Sequence, residues 1–174
     1  RDRGDLAQRG TSFPGLQKFF DDARDGKLPE VAYIVAPMQL SEHPPYMPMD
    51  GAWLQGEVAK AVMHGKNWDS TALIYSYDET GGWADHVVSP SPPQSEESEW
   101  IEDPYDKSNG ITPIGPGFRL PFYIVSPWTS GGHVFTEHAA HESQIMFLEQ
   151  WALAHGKPFT SEEIPTWRRE QLSD

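Results

Sequence analysis

Thr71-Ala72-Leu73-Ile74-Tyr75-Ser76-Tyr77 is a largely apolar run that is followed at once by the acidic residues Asp78-Glu79. Such a run predicts a strand that is buried on both faces. A second strand of this kind is predicted for Val31-Ala32-Tyr33-Ile34-Val35-Ala36, and an apolar stripe predicts a helix over residues 52–64. Strand, helix and strand at this spacing predict a right-handed βαβ unit.

Further elements are predicted on both sides of this unit. They are a helix at residues 15–24, a third strand at residues 120–126, and a last helix at residues 143–155 with Ser143 as its N-cap. The apolar stripes of the two larger helices predict which of their side chains are buried. These are Leu54, Val58, Ala61 and Val62 in one helix and Ile145, Leu148, Trp151 and Ala152 in the other.

Residues 87–118 are predicted to form a long, irregular insertion within a single domain that covers residues 1–174. The insertion opens with Ser89-Pro90-Ser91-Pro92-Pro93 and continues into an acidic run at residues 96–106. A loop of this length inside a compact domain is either functional or mobile, and an excursion that is merely solvated fits the acidic part equally well.

The composition indicates a globular protein with an acidic surface. The net charge of −13 disfavours nucleic acid as a partner, because an acidic surface repels phosphate backbones, and it disfavours docking on anionic lipid. The absence of cysteine excludes disulfides, thiolate metal sites and cysteine nucleophiles. We expect no transmembrane segment, since no apolar run approaches the roughly 20 residues that span a bilayer.

Asp78 and Glu79 are the strongest candidates for chemistry. Ligands of open α/β sheets bind at the carboxyl ends of the strands, where this pair is expected to lie. Two adjacent carboxylates are costly there without a compensating cation, and their oxygens suit divalent ions such as Mg, Ca, Mn or Zn. Gly81-Gly82 allows a sharp turn with room for a ligand. An ordinary Asp-Glu turn before two glycines is the alternative.

Four histidines in predicted loops are further candidates for site residues. His43 lies in the loop after the first predicted strand, on the same carboxyl side as Asp78, where its ring can donate to a phosphate oxygen or protonate a leaving group. His138 and His141 have a spacing that suits one metal if they share a helix face. For His133 and His138 an ordinary loop position is the simpler interpretation.

Arg119 and several aromatic residues are candidates for substrate binding. Arg119 opens the third predicted strand and can bind a phosphate through two parallel hydrogen bonds, or pair with an acidic residue. Trp83, Trp100, Tyr105 and Trp128 can form an aromatic wall for a quaternary ammonium group. Packing alone is the default for Trp128.

Several motifs in fixed order resemble the phosphoesterase family of non-haemolytic, phosphatidylcholine-type phospholipases C and related acid phosphatases, with fungal members most similar. The resemblance covers the chain from about Leu28 to Asp174. The motifs are Ser41-Glu42-His43-Pro44-Pro45, residues 77–87, Gly117-Phe118-Arg119-Leu120-Pro121, Ser126-Pro127-Trp128-Thr129, residues 131–138 and Trp167-Arg168-Arg169-Glu170.

The resemblance implies an α/β fold, namely the alkaline-phosphatase-like sandwich around a mostly parallel sheet, and the hydrolysis of phosphate esters such as phospholipids. It implies one divalent metal ion of unknown identity, with Asp78 and Glu79 as ligands. His43 matches a histidine at the phosphate site, and Asp85 and His86 match the end of the metal motif with a catalytic role. Secretion to the extracellular space or the cell wall is implied as well.

Two departures from the family pattern limit these expectations. The Glu-Asn metal motif and the Ser or Thr nucleophile of the family are absent from this sequence, so we expect a partial catalytic domain, its C-terminal part, that is inactive alone. Ala140-His141 and Arg169-Glu170-Gln171 stand where relatives often read Asp-His and Arg-Glu-His. A broad-specificity acid phosphatase and a non-catalytic fragment remain the alternative functions.

Overall fold

The computed structural model of the protein describes residues 15–172. Helices and strands alternate with 3-10 turns along this range. The helices are α1 (Gly15–Asp25), α2 (Pro48–Met63), α3 (His141–Ala154) and α4 (Thr166–Gln171). The strands are β1 (Leu73–Ser76), β2 (Trp100–Glu102), β3 (Ile111–Pro113) and β4 (Phe122–Val125).

The chain divides into two compact units. The first unit comprises residues 1–75 and 122–132, and its described part holds α1, α2, β4 and most of β1. The second unit comprises residues 76–121 and 133–174, and its described part holds β2, β3, α3 and α4. The Asp78–His86 segment therefore belongs to the second unit, and His43 belongs to the first.

Helix α2 provides most of the core of the first unit. Leu54, Val58 and Val62 are buried along one face, as the stripe predicted, while Ala61 is half-buried. The helix begins at Pro48, where the missing N–H of proline removes no helical hydrogen bond. Helix α1 packs against α2 and contributes the buried Ala23.

The predicted strand at residues 31–36 is wrong. This segment forms no strand, and Tyr33 and Val35 are exposed. A strand exists through hydrogen bonds to a neighbouring strand, and among residues 15–172 β1 pairs only with β4. The predicted βαβ unit is therefore not formed by the described residues. They contain helices and two small sheets of two strands each, and a mostly parallel sheet is not among them.

The insertion at residues 87–118 is more regular than predicted, because it contains an antiparallel hairpin. Strand β2 pairs with β3 in the register Trp100 to Pro113 and Glu102 to Ile111. Its connection is closed by the side chain of Asp103, which accepts hydrogen bonds from the main-chain N–H groups of Tyr105 and Asp106 and from the side chain of Asn109. These local bonds explain how a polar, acidic sequence supports a hairpin.

Helix α3 begins two residues earlier than predicted, and Ser143 is not its N-cap. Ala140 holds that position, and the Ser143 hydroxyl accepts the N–H of Ala140 at 3.2 Å from inside the first turn. Met146 and Ala152 are buried, whereas Ile145, Leu148 and Trp151 of the predicted stripe are half-buried. None of the helices within residues 15–172 combines the length and apolarity needed to cross a membrane.

Candidate metal and phosphate site

Strand β1 ends at Ser76, and the chain continues through Tyr77 into the exposed residues Asp78 and Glu79. The backbone then turns through Gly81 and Gly82, whose φ angles of 64° and 84° lie in the left-handed region that glycine adopts readily. The two carboxylates therefore follow one residue after the strand and precede a glycine turn, because the strand ends at Ser76 and not at Tyr77 as predicted.

The two carboxylates fit a divalent ion as a partial set of ligands. Carboxylate oxygens are suitable donors, and among the described residues no hydrogen bond or ion pair engages either side chain. Within residues 15–172, however, no group of three His, Asp or Glu side chains converges as a complete metal site. His138 lies in the irregular segment before helix α3, which begins at His141, so the two histidines do not share a helix face.

Asp85 and Arg119 form a bidentate ion pair in the second unit. Arg119 Nε lies 2.7 Å from Asp85 Oδ2 and Arg119 Nη2 lies 2.8 Å from Asp85 Oδ1. Asp85 also accepts the main-chain N–H groups of His86 at 2.7 Å and of Val87 and Arg119 at 3.3 Å. The side chain of Asp85 is only 12% exposed, whereas that of Arg119 is 61% exposed. The pair therefore closes the base of the insertion, which these two residues flank.

This network controls the protonation of Asp85. Hydrogen bonds from Arg119, aided by those from the main chain of His86, Arg119 and Val87, hold the pKa of Asp85 well below its ordinary value of 3.8. A carboxylate in this state is a weak proton acceptor, so its direct effect is to orient Arg119. The Nη1 group of Arg119 takes no part in the pair, which leaves this exposed guanidinium one edge to offer to a phosphate.

His86 and Trp83 project from the same segment. His86 is largely exposed, and its Nδ1 atom lies 3.6 Å from Asp85 Oδ1, beyond ordinary hydrogen-bond distance. Trp83 is exposed as well, and its main-chain N–H donates to the Thr80 carbonyl at 3.2 Å, which closes the glycine turn. The structure thus brings Asp85, His86 and Arg119 together. Trp83 presents a ring that no described contact covers.

His43 lies on a separate loop in the first unit and is exposed. Its Nδ1 atom is 2.7 Å from the Pro44 carbonyl. Because a carbonyl only accepts, this contact assigns the hydrogen to Nδ1 and leaves Nε2 as an acceptor. The preceding residue, Glu42, has a φ angle of 67°, which non-glycine residues adopt rarely. Gln55 of α2 holds that side chain through a hydrogen bond of 2.8 Å.

Gln55 also connects the His43 loop with the sheet of the first unit. Its carbonyl accepts the Tyr75 hydroxyl at 2.5 Å, and its side-chain oxygen accepts the Tyr123 hydroxyl. The rings of Tyr75 and Tyr123 stack with centroids 4.7 Å apart. Burial, together with the neighbouring Tyr123, raises the pKa of Tyr75 to about 12. The loop of His43 is therefore connected to the Tyr75 and Tyr123 side chains of the first unit.

Sequence reasoning missed the side chains of α3 that contact the end of β1. His141 Nε2 lies 2.7 Å from the Tyr77 carbonyl, and Gln144 Nε2 donates to the Ser76 hydroxyl at 2.9 Å. The prediction weighed His141 only as a metal ligand. The spacing of His141 and Gln144, one helical turn apart, was the available signal, but nothing local identifies the partner.

Most of the remaining aromatic and histidine candidates are exposed. Tyr105 and Trp128 are exposed, and Trp100 donates its indole N–H to the Pro93 carbonyl at 3.0 Å within the insertion. His133 and His138 are exposed in irregular segments. A shallow recess of about 460 Å³ in the insertion is lined by Gln94, Glu97, Trp100 and Ile111, and Trp100 is the one candidate among these four residues.

Comparison with known proteins decides the family. The sequence profile of the Phosphoesterase family matches residues 1–153. The chain belongs to this family. It is 37% identical over 182 residues to the non-hemolytic phospholipase C of Burkholderia pseudomallei, covering 98% of this chain and 26% of that protein.

Two further phospholipases C are similar over nearly the whole chain. The hemolytic phospholipase C of Pseudomonas aeruginosa is 34% identical over 175 residues, covering 98% of this chain and 23% of that protein. Phospholipase C B of Mycobacterium tuberculosis is 34% identical over 178 residues, covering 99% of this chain and 33% of that protein. The chain thus spans about a quarter to a third of the length of these relatives.

Proposed function

We propose that this chain serves the metal-dependent hydrolysis of phosphate esters, with the cleavage of phospholipid head groups as its main activity. Membership of the Phosphoesterase family and the similarity to proteins named phospholipase C support the proposal. The observation that carries it is the exposed carboxylate pair Asp78-Glu79 between the end of β1 and the glycine turn.

Asp78 and Glu79 hold one divalent ion in this proposal. When bound, the ion polarises the phosphate and supports a hydroxyl nucleophile near neutral pH. The two side chains fit as oxygen donors, and the remaining ligands and the nucleophile are not among the groups that the described residues assemble. Asp78 and Glu79 therefore bind and orient in this reaction, and neither attacks the substrate.

The other predicted residues act on the phosphate and its leaving group. His43 is proposed to contact a phosphate or leaving-group oxygen, for which the hydrogen on Nδ1 leaves Nε2 open to carry or receive a proton. Arg119, oriented by Asp85, offers the guanidinium edge that the pair leaves unused. His86 is proposed as a further proton-transfer group, and the exposed ring of Trp83 suits a quaternary ammonium head group.

Substitution of the carboxylate pair tests the metal assignment. The variants Asp78→Asn and Glu79→Gln are made in a protein that contains this sequence and is as long as the relatives. We expect a loss of metal content and a decrease in phosphatidylcholine hydrolysis of about 100-fold or more, because a metal ligand is lost. Asp69→Asn, at an exposed residue outside the motif, is the matched control and is expected to keep both.

The substrate class is measured in the same preparations. Hydrolysis of phosphatidylcholine in mixed micelles is compared with that of a simple phosphomonoester, before and after chelation of divalent ions. Both activities would use the same carboxylate pair, so only the substrate comparison separates them. A preference for the phosphomonoester would support the acid phosphatase alternative. Normal turnover and metal content in Asp78→Asn and Glu79→Gln would overturn the proposal. The extracellular location that the family resemblance implies stays a prediction.

A further inference from the structure

The end of strand β1 is held by side chains from a distant part of the sequence. His141 contacts the Tyr77 carbonyl at 2.7 Å across 64 residues, and Gln144 contacts the Ser76 hydroxyl at 2.9 Å across 68 residues. Tyr77 is the residue immediately before Asp78. The His141 bond therefore holds the backbone directly before the carboxylate pair, and the Gln144 bond holds the side chain of the neighbouring Ser76.

The two contacting residues act from one face of helix α3. Positions three apart lie on the same side of a helix, so His141 and Gln144 reach the strand end together. The Tyr77 carbonyl can only accept a hydrogen bond, which places a hydrogen on Nε2 of His141. The imidazole ring of His141 thus donates a hydrogen bond from Nε2 to the Tyr77 carbonyl.

Helix α3 is itself firmly attached within the second unit. Glu142, next to His141, bonds Arg168 of α4, and Arg168 forms two hydrogen bonds of 2.9 Å with Glu99. Met146 and Ala152 of the same helix are buried. The donor of His141 is therefore carried by a helix whose first turn is bonded to α4 through Arg168, which also bonds Glu99 of the insertion.

The carboxylates that follow lack such support of their own. Among the described residues, no hydrogen bond or ion pair engages the side chains of Asp78 and Glu79. The direction of both side chains then depends on where the backbone places them. On one side the backbone is held at the Tyr77 carbonyl, next to the Ser76 side chain that Gln144 bonds, and on the other side it turns through Gly81 and Gly82.

We propose that His141, assisted by Gln144, is a positioning residue that orients the Asp78-Glu79 pair for metal binding through the Tyr77 carbonyl. The inference rests on the proposed function for its metal, but its structural step is independent of it. His141 acts from outside the metal's ligand set, as partners of metal-binding groups commonly do.

The test compares three variants of the chain by two measurements. His141→Phe removes the donor and keeps a flat ring, His141→Gln restores an N–H donor, and His155→Phe is the matched control. His155 lies at the other end of α3, where its ring contacts the Trp151 carbonyl at 2.7 Å. Amide hydrogen exchange over residues 77–80 without metal reports on backbone order, and titration with Mn²⁺ reports on affinity.

We expect His141→Phe to speed exchange at residues 77–80 and to weaken Mn²⁺ binding by about 10-fold, the lower end for outer-shell partners. His141→Gln should recover most of both, and His155→Phe should change neither. Wild-type exchange in His141→Phe, or an equal effect of His155→Phe, would overturn the inference. If His141→Phe does not fold, Gln144→Leu and His141→Gln carry the same comparison.

The two proposals can fail separately. A wild-type chain that binds no Mn²⁺ while His141→Phe speeds exchange would contradict the metal assignment of Asp78 and Glu79 and support the hydrogen-bonded support of the backbone. Tight Mn²⁺ binding that is unchanged in His141→Phe would support the metal site and refute the positioning role.

Discussion

Arg168 offers the most informative perturbation of stability, because it serves two acidic residues at once. Its Nε and Nη2 atoms each lie 2.9 Å from a carboxylate oxygen of Glu99, and Nη1 bonds Glu142. The side chains of Glu99 and Arg168 are 8% and 16% exposed, so little water can replace the lost partner. In Arg168→Met, Glu99 would remain nearly buried without its counter-charge.

The magnitude follows from the cost of an unpaired buried charge. Breaking a buried pair by removing one partner costs about 3–5 kcal/mol, and the remaining exposure favours the lower end, near 3 kcal/mol. Protonation of Glu99 limits the cost. Protonating a carboxyl group of ordinary pKa 4.5 costs about 3.4 kcal/mol at pH 7 but only about 0.7 kcal/mol at pH 5. The loss caused by Arg168→Met should therefore be smaller at pH 5 than at pH 7.

The sign of this pH dependence follows from the wild-type protein. Hydrogen bonds from Arg168 lower the pKa of Glu99, so the pair stabilises the fold above pH 4.5 and loses this effect as the pH falls through the lowered pKa. At pH 5 the wild-type pair is still ionised, while the variant can already protonate Glu99 at little cost. The difference in the free energy of unfolding between wild type and Arg168→Met is therefore smaller at pH 5, because the variant changes with pH while the wild-type pair does not.

Urea denaturation followed by tryptophan fluorescence measures the free energy of unfolding at both pH values. Lys107→Met is the control, since Lys107 pairs with Glu102 at 3.0 Å with the side chains 76% and 56% exposed, and its loss should cost less than about 0.5 kcal/mol. Adding Glu99→Gln to Arg168→Met should recover part of the stability. A loss no larger than that of Lys107→Met, or no recovery in the double variant, would refute the reasoning.

Three further outcomes are expected. Gly51→Ala should cost about 1–3 kcal/mol in urea denaturation, since its Cβ would overlap the Glu42 side chain, whereas Gly56→Ala on the same helix meets nothing within 4 Å and should cost nothing. Asp85→Asn should flatten the loss of melting temperature as the pH falls below 3.8, because the lowered pKa of Asp85 stabilises the fold above that value. Titration of tyrosinate absorbance should show a component near pH 12 in the wild-type protein that is missing in Tyr75→Phe, because burial raises the pKa of Tyr75 to about 12, and the stability this provides below pH 10 should be lost toward pH 12.

The helices and the carboxylate motif could be predicted from sequence because they depend on neighbours in the chain. The stripe of Leu54, Val58 and Val62 follows from helical periodicity, and two consecutive glycines such as Gly81-Gly82 favour a turn. The same local logic failed for residues 31–36. An apolar run indicates that a strand is possible, but it does not supply the neighbouring strand whose hydrogen bonds would form it.

The partners of the site residues were decided only by tertiary structure. Asp85 meets Arg119 across 34 residues, His141 meets Tyr77 across 64, and Arg168 meets Glu99 across 69. In the sequence Arg119 was equally suited to a phosphate or to an acidic side chain, and folding placed Asp85 beside it. The sequence by itself determined which groups follow β1. The tertiary structure decided what holds them, because hydrogen bonds and ion pairs depend on distance in space and the linear order of residues carries no such distance.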